Sequence, residues 1–548
     1  MALKSKCLFF AKIFTFSTTL LVIFSCASIQ RPQGGPKDFT PPKLVKATPE
    51  NMTRNFNAKQ ITLEFDEYYK LANQYQEISI SPAQERQPEY KIKDKSLVIN
   101  LRDSLLKNTT YVINFGKAIA DNHEGNLLKN FTYVFSTGPH IDSLSISGSV
   151  SNTQTGEKEK DATVMLFPQK QDTAFFGKKK PYIFINTDSA GNFSLNNLHD
   201  GDYRIYALKE ATPDKIYNSD AELIAFLKQP IHLSGDTSNV QLKLFRQIPD
   251  KFRIVDRHIT PEGALFFSFN KSLVAPDVKV NYPPDFDRQK LVDFSKNRDT
   301  AIIYMRNMDF DSISVSFTDQ NKILDTIYLR KGRKESFTRN LGFGYNINID
   351  NHLKPNTDLQ LTANIPVESF DQSRIQLTED SAQVSGLTVQ KDAANPRKLS
   401  LKYRWKQEVR YELTLMDDAF TDIYGDKNKR LLKRFTVDKP ENYGTLTVKV
   451  TVPDSSKSYI VQLTDPKQNV YRSDIIKKNT SLVYRDYFAT KYRVKVIYDS
   501  NGNGRWDSGN VKQRIYPETI WTDTKEITLR PNWEQEEAVS IPKEAVNP

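Results

Sequence analysis

The 548 residues carry a formal charge of +11 and are 38% hydrophobic. That is chain enough for about four or five domains, each able to bury a core. The 77 Lys and Arg are dispersed along the chain, which argues against nucleic acid as a partner. The two cysteines are Cys7 and Cys26. Cys7 lies in an N-terminal apolar segment, so no disulfide framework is available and stability must come from core burial.

Residues 1–25 read as an export signal. Lys4, Lys6 and Lys12 form a positive start without acidic residues, and Ile13 to Phe24 is apolar but too short for a hydrocarbon core of about 30 Å. No second apolar run is long enough to span. The run ends in Leu21-Val22-Ile23-Phe24-Ser25-Cys26, which resembles the lipobox of bacterial lipoproteins, although Phe24 is bulkier than that family's usual residue. The resemblance implies cleavage before Cys26 and acylation of its thiol, and thus a membrane partner held through lipid. The alternative is an ordinary secretory signal that leaves Cys26 as a free thiol. Residues 26–42 are polar and rich in Pro and Gly, as an exposed tether is. Ala27-Ser28-Ile29-Gln30 lacks an acidic cluster, which points to the periplasmic face of an outer membrane rather than the cell surface. Without the three signal lysines the charge is +8, a basic excess that suits either anionic envelope surfaces or a well-solvated exterior.

Residues 43–138 alternate apolar and polar at Ile61–Phe65, Ile78–Ile80, Leu97–Leu101, Tyr111–Phe115 and Phe131–Phe135, predicting an antiparallel sandwich. ITLEFDE near the start and YVINFGKAIADNHEGNLLKNFTYVFSTG at the end resemble the S-layer-type bacterial Ig-like domain. Asp121, Gly125 and Asn126 read as turn formers. Residues 139–247, with ISGSV, DATVMLF and TDSAGNFSLNNLHDGDYRIYAL, resemble the transthyretin-like sandwich of carboxypeptidase-regulatory modules, a spacer family without chemistry of its own. Within it, Glu210 to Leu227 is expected to be a short helix or loop insertion. Residues 248–336 form a β-domain of unassigned type, with strands expected at Gly263–Phe269, Ala301–Met305, Ser312–Phe317 and Thr326–Leu329. Residues 337–438 repeat the first pattern: a Tyr opens a strand, Ala-x-x-Asp follows, and Leu-Leu then Phe lead into the last strand. Residues 439–548 repeat the second, Tyr492-Arg493-Val494-Lys495-Val496 echoing Tyr203-Arg204-Ile205-Tyr206-Ala207. The fold class is therefore all-β, a tandem array of antiparallel sandwiches, and the whole order resembles the Ig-like-domain lipoproteins of Bacteroidota.

One motif is site-like. Asp499-Ser500-Asn501-Gly502-Asn503-Gly504-Arg505-Trp506-Asp507 places oxygen side chains at positions one, three, five and nine, with Gly at six, as a calcium loop does. Position twelve is Asn510 instead of a bidentate Glu, so Ca²⁺ at the 499–510 loop, through Asp499, Asn501, Asn503 and Asp507, would be weak. The competing reading is a hairpin tip between Tyr498 and a strand near Val511 to Tyr516.

No catalytic set is visible. The 6 His are scattered without a zinc-hydrolase spacing, and Asp66-Glu67 and Asp417-Asp418 are adjacent, so on a strand they would face opposite ways. The expectation is a non-enzymatic rod of about five sandwiches acting as a scaffold, spacer or protein-binding module. Outer-membrane proteins, peptidoglycan or other envelope lipoproteins are its expected partners. A carbohydrate-binding protein is the alternative, with Trp405, Trp506, Trp521 and Trp533 as candidate platforms; a hydrolase assembled only in three dimensions is the third reading.

Overall fold

The computed structural model describes residues 37–212, 214–332 and 336–544. Cys26, the signal and most of the tether lie outside these residues. No helix among the described residues is long and apolar enough to cross a membrane. Strands dominate, and the chain divides into two compact units, up to Ile141 and from Asp142 onward.

The first unit is a sandwich. A four-stranded sheet in the order Leu44–Thr48, Gln60–Phe65, Ser96–Asn100, Glu89–Lys93 faces a three-stranded one in the order Thr132–Ser136, Thr110–Asn114, Ser79–Ser81. Period-two alternation turns Ile61, Leu63 and Phe65 inward against Tyr111, Ile113, Tyr133 and Phe135, all essentially buried. At about 25 cal/mol per Å², each such side chain contributes roughly 2 kcal/mol of burial. A third small sheet pairs Tyr69–Leu71 with Ile119–Asp121.

The second unit holds four sandwiches. That of residues 337–438 repeats the strand order of the first unit. Phe343–Tyr345, Leu359–Ala363, Lys398–Lys402, Thr388–Lys391 form one sheet, Leu431–Val437, Tyr411–Leu415, Ile375–Glu379 the core of the other, and Val367–Phe370 pairs with Phe420–Asp422. The repeated Tyr has the same task in both, because the Tyr111 hydroxyl accepts the Leu106 N–H at 2.8 Å and the Tyr411 hydroxyl the Lys406 N–H at 2.6 Å.

The sandwiches of residues 142–247 and 443–544 share a second topology. In each, the first strand pairs in parallel with the last: Leu144–Asn152 with Thr237–Arg246, and Tyr443–Thr451 with Glu534–Ser540. A central pair follows, Thr163–Pro168 with Gly201–Lys209 and Ser458–Thr464 with Lys491–Asp499. The Tyr203 hydroxyl donates to His199 O at 3.0 Å and the Tyr492 hydroxyl to Phe488 O at 2.7 Å, each tying a corner four residues back. The stretch expected to be an insertion is divided: a loop runs to Glu222, but Leu223–Phe226 is a strand inside the sheet, and the helix lies elsewhere, at Gln169–Phe175.

Residues 254–330 form the remaining sandwich, with the sheet Ile254–Ile259, Leu265–Phe269, Thr300–Met305, Lys290–Phe294 against the sheet Pro276–Tyr282, Ser312–Asp319, Lys322–Arg330. It is fused to the next one: Ala264 and Tyr304 belong to the core of residues 341–437, and Arg397–Asp293 (2.6 Å) and Arg306–Glu368 (2.7 Å) bridge the two. Nor does the last sandwich touch only its sequence neighbour. Beyond the Tyr443–Asp438 hydrogen bond (2.9 Å), it reaches back to residues 142–247, so an open rod with contacts only between consecutive sandwiches does not describe this unit.

Candidate functional site

The strand Lys491–Asp499 ends at Asp499, which is 1% exposed. Its two carboxylate oxygens accept the backbone N–H groups of Asn503 (3.0 Å) and Gly504 (3.1 Å), turning the chain back on itself. Gly504 has φ +76, a left-handed conformation that favours glycine. The amides of Asn501 and Asn503 both donate to Asp507 Oδ2. The four motif residues are thus brought into one loop, and Glu518, outside the twelve-residue spacing, joins them. Its carboxylate accepts the N–H of Ser500 (2.7 Å) and of Asp507 (3.0 Å), and its carbonyl accepts the Trp506 indole at 2.9 Å. Burial pushes the Glu518 carboxyl up, and the charges of Asp507 and Asp499 add to the shift.

The donor set is of hard oxygens, the type calcium takes. Among the described residues no three or more His, Cys, Asp or Glu side chains are grouped to hold a metal. A cation here would therefore lean on Asn501, Asn503 and backbone carbonyls as well as Asp499 and Asp507. Asn510 at position twelve is engaged elsewhere: its amide donates to Asp250 at 3.1 Å. The expected strand near Val511 to Tyr516 is instead a turn closed by the Asn510–Ile515 pair, the next strand beginning at Ile520.

That turn is a clasp. It meets the outer face of the sheet of residues 163–246, where Met165, Phe167, Tyr206, Phe226 and Phe245 form a buried cluster completed by Val511, with Trp506 and Tyr516 packed on it. Tyr516 stacks on Phe226 at 5.1 Å, and its hydroxyl accepts the Lys228 N–H at 3.0 Å. The Val511 N–H donates to Gln247 at 2.9 Å, and Arg514 pairs with Asp172 at 2.8 Å. A Cβ on Gly509 would meet Ile515 O and Phe245 Cζ, each at 2.7 Å, so there is no room for a side chain between the turn and that ring. Glu518, Val511, Arg514 and Tyr516 are not singled out by sequence. The available signal was on the other partner, where Met165 and Phe167 put apolar side chains on the face that alternation reserves for polar ones.

Asp121 is a turn former: its carboxylate accepts the N–H groups of His123, Glu124, Gly125 and Asn126 at 2.6–3.0 Å. Burial would raise its carboxyl, but these four donors hold it below the usual range. Asp422 holds the matching place in the repeat and accepts from Tyr424 and Asp426, yet its Oδ2 is buried without a partner, and burial pushes it up. Four histidines pair singly with aspartates, His199–Asp142, His232–Asp202, His258–Asp256 and His352–Asp438, on separate strands and loops. Of the four tryptophans, Trp405, Trp506 and Trp521 pack against cores; Trp533 is 53% exposed, with the Arg530 guanidinium 4.8 Å from its ring centre.

Residues 38–137 match the family model of the bacterial Ig-like domain. No curated protein matches the chain. Among solved structures, it is similar to the major pilin subunit BcpA of Bacillus cereus at 9% identity, over 73% of this chain and 99% of that one, with a TM-score of 0.13. The S-layer protein rSbsC(31-844) aligns at 9% identity over 89% and 67%, TM-score 0.14. The Bacteroides ovatus mixed-linkage glucan utilization protein SGBP-B, solved in complex with a mixed-linkage heptasaccharide, aligns at 10% identity over 71% and 96%, TM-score 0.18. At such scores these superpositions carry no inference about ligands or assembly.

Proposed function

We propose that this chain, which carries a bacterial Ig-like domain at residues 38–137, is a non-enzymatic envelope lipoprotein, held through Cys26 to the periplasmic face of an outer membrane and presenting β-sandwiches as a scaffold for envelope partners. The observation that carries this reading is the clasp. The sequence spends a whole loop, Trp506 to Tyr516, on joining the last sandwich to the first of its unit. A protein that holds partners at fixed relative positions gains from such bracing.

Metabolic labelling with palmitate tests the anchor: label and outer-membrane recovery are expected in the native chain and lost in Cys26→Ser. Label that persists in the variant, or a native product found free in the medium, refutes the anchor. The scaffold role is tested by crosslinking in intact cells. A reproducible envelope protein captured by the native chain, and lost when Val511→Asp opens the clasp, supports it; capture unchanged by that variant counts against bracing as the function.

A further inference from the structure

We propose that Asn501 is a site of spontaneous covalent modification: its side-chain amide is lost by cyclisation onto Gly502, and the loop leading into the clasp gains a carboxylate. The chain has two Asn-Gly pairs, Asn501-Gly502 and Asn503-Gly504, both in this loop. Glycine favours the reaction because no Cβ stands in the path of its amide nitrogen, and asparagine is among the thermally labile side chains. Asn501, Gly502 and Asn503 are all exposed. Each asparagine Oδ1 accepts the N–H two residues on, Asn501 from Asn503 at 3.0 Å and Asn503 from Arg505 at 2.9 Å. That draws charge off both Cγ atoms alike, so the glycine nitrogen decides which asparagine reacts. The Gly504 N–H is held by the buried Asp499 carboxylate at 3.1 Å. Among the described residues the Gly502 N–H has no acceptor. Nothing lies within 4 Å of where a Gly502 Cβ would stand, so that nitrogen can swing towards Asn501 Cγ without displacing a neighbour.

In the reaction the Gly502 nitrogen bonds to Asn501 Cγ, the Cγ–Nδ2 bond breaks, and Nδ2 leaves as ammonia with the proton that Gly502 gives up. Water then opens the cyclic imide at either carbonyl. One opening leaves aspartate; the other leaves isoaspartate, with the main chain rerouted through the side chain. Both products remove the donor that Asn501 offers Asp507 Oδ2 and set a new negative charge beside it. Asn503 Nδ2 still reaches that oxygen at 2.7 Å, so one of the loop's ties is lost and another kept. The site is independent of the lipid anchor and of any cation in the loop, so its failure would leave the scaffold reading intact.

The test is peptide mapping by mass spectrometry of the full chain in detergent, incubated at mildly alkaline pH either folded or unfolded in urea. In the folded chain the mass gain of an amide-to-acid change is expected at Asn501 about tenfold or more faster than at Asn503, since Gly504 must first break a hydrogen bond to a carboxylate. In urea, where that bond is gone, the two asparagines should convert at similar rates. Asp499→Asn, which leaves one acceptor oxygen for two N–H groups, should bring conversion of Asn503 closer to that of Asn501 in the folded chain. Absence of the gain at Asn501 in the folded chain overturns the proposal, and so does equal or earlier conversion of Asn503. A preference for Asn501 that persists undiminished in urea would assign it to the flanking sequence instead of the Asp499 tie, and also overturn it.

Discussion

Arg514 is the single charged group that the clasp sends against the sheet of residues 163–246, and replacing it with Met should loosen the closure measurably. Asp172 is 7% exposed and keeps a second hydrogen bond from the Tyr206 hydroxyl at 2.7 Å, so the variant strips the charge partner but not all solvation. At 2.8 Å and an effective dielectric of about 20, the gross attraction is about 6 kcal/mol. Desolvation of the nearly buried carboxylate takes back most of it. A net coupling of about 2 kcal/mol remains, within the usual range for contacting pairs. The measurement is a double-mutant cycle of Asp172→Asn and Arg514→Met in the full chain, read by native-state hydrogen exchange of the slowest amides in Gly201–Lys209. Arg514→Met alone should speed their exchange by about thirtyfold or more, and the double variant by less than the product of the singles. A coupling below about 0.5 kcal/mol would refute the clasp as an energetic link and reduce it to a surface contact.

Three further outcomes follow. Burial, with the neighbouring Asp214, pushes the Glu210 carboxyl up to about 7. The folded form therefore holds more protons than the unfolded one between about pH 4.5 and 7, and stability should rise as pH falls through that window; Glu210→Gln should flatten the slope of unfolding midpoint against pH from 8 to 5, and an unchanged slope refutes the assignment. The paired aspartates should respond differently. Asp121→Asn sets an amide against a backbone N–H and should cost about 2 kcal/mol in the first calorimetric unit, while Asp422→Asn, whose Oδ2 has no partner, should cost under about 1 kcal/mol. Finally, because the loop amides and backbone already satisfy Asp499 and Asp507, EDTA is expected to leave the unfolding midpoint unchanged; a fall on chelation that Ca²⁺ restores would show a cation completing the loop.

The all-β class was legible because half-buried antiparallel strands keep apolar and polar residues strictly apart, as in Gln60–Phe65 and Leu359–Ala363. The Tyr and Ala-x-x-Asp repeat was legible for a local reason: Tyr111 and Tyr411 each close a turn five residues back, and Asp121 and Asp422 each gather the N–H groups of the next few residues. Leu223-Ile224-Ala225-Phe226 was misread because a strand buried on both faces shows no alternation. The clasp was illegible for a different reason. Its contacts join residues 260 to 342 positions apart, and spacing along the chain says nothing about such pairs until the sheets are in place.

In the sandwiches of residues 142–247 and 443–544 the opening strand runs alongside the closing strand in the same direction, Leu144–Asn152 beside Thr237–Arg246 and Tyr443–Thr451 beside Glu534–Ser540. Parallel terminal strands send the polypeptide in at one pole of a sandwich and out at the other. Tension along the polypeptide then loads the ladder between those strands in shear, so its hydrogen bonds must fail together instead of peeling apart one at a time. A chain pulled at its two ends would resist extension in these two sandwiches by this geometry alone.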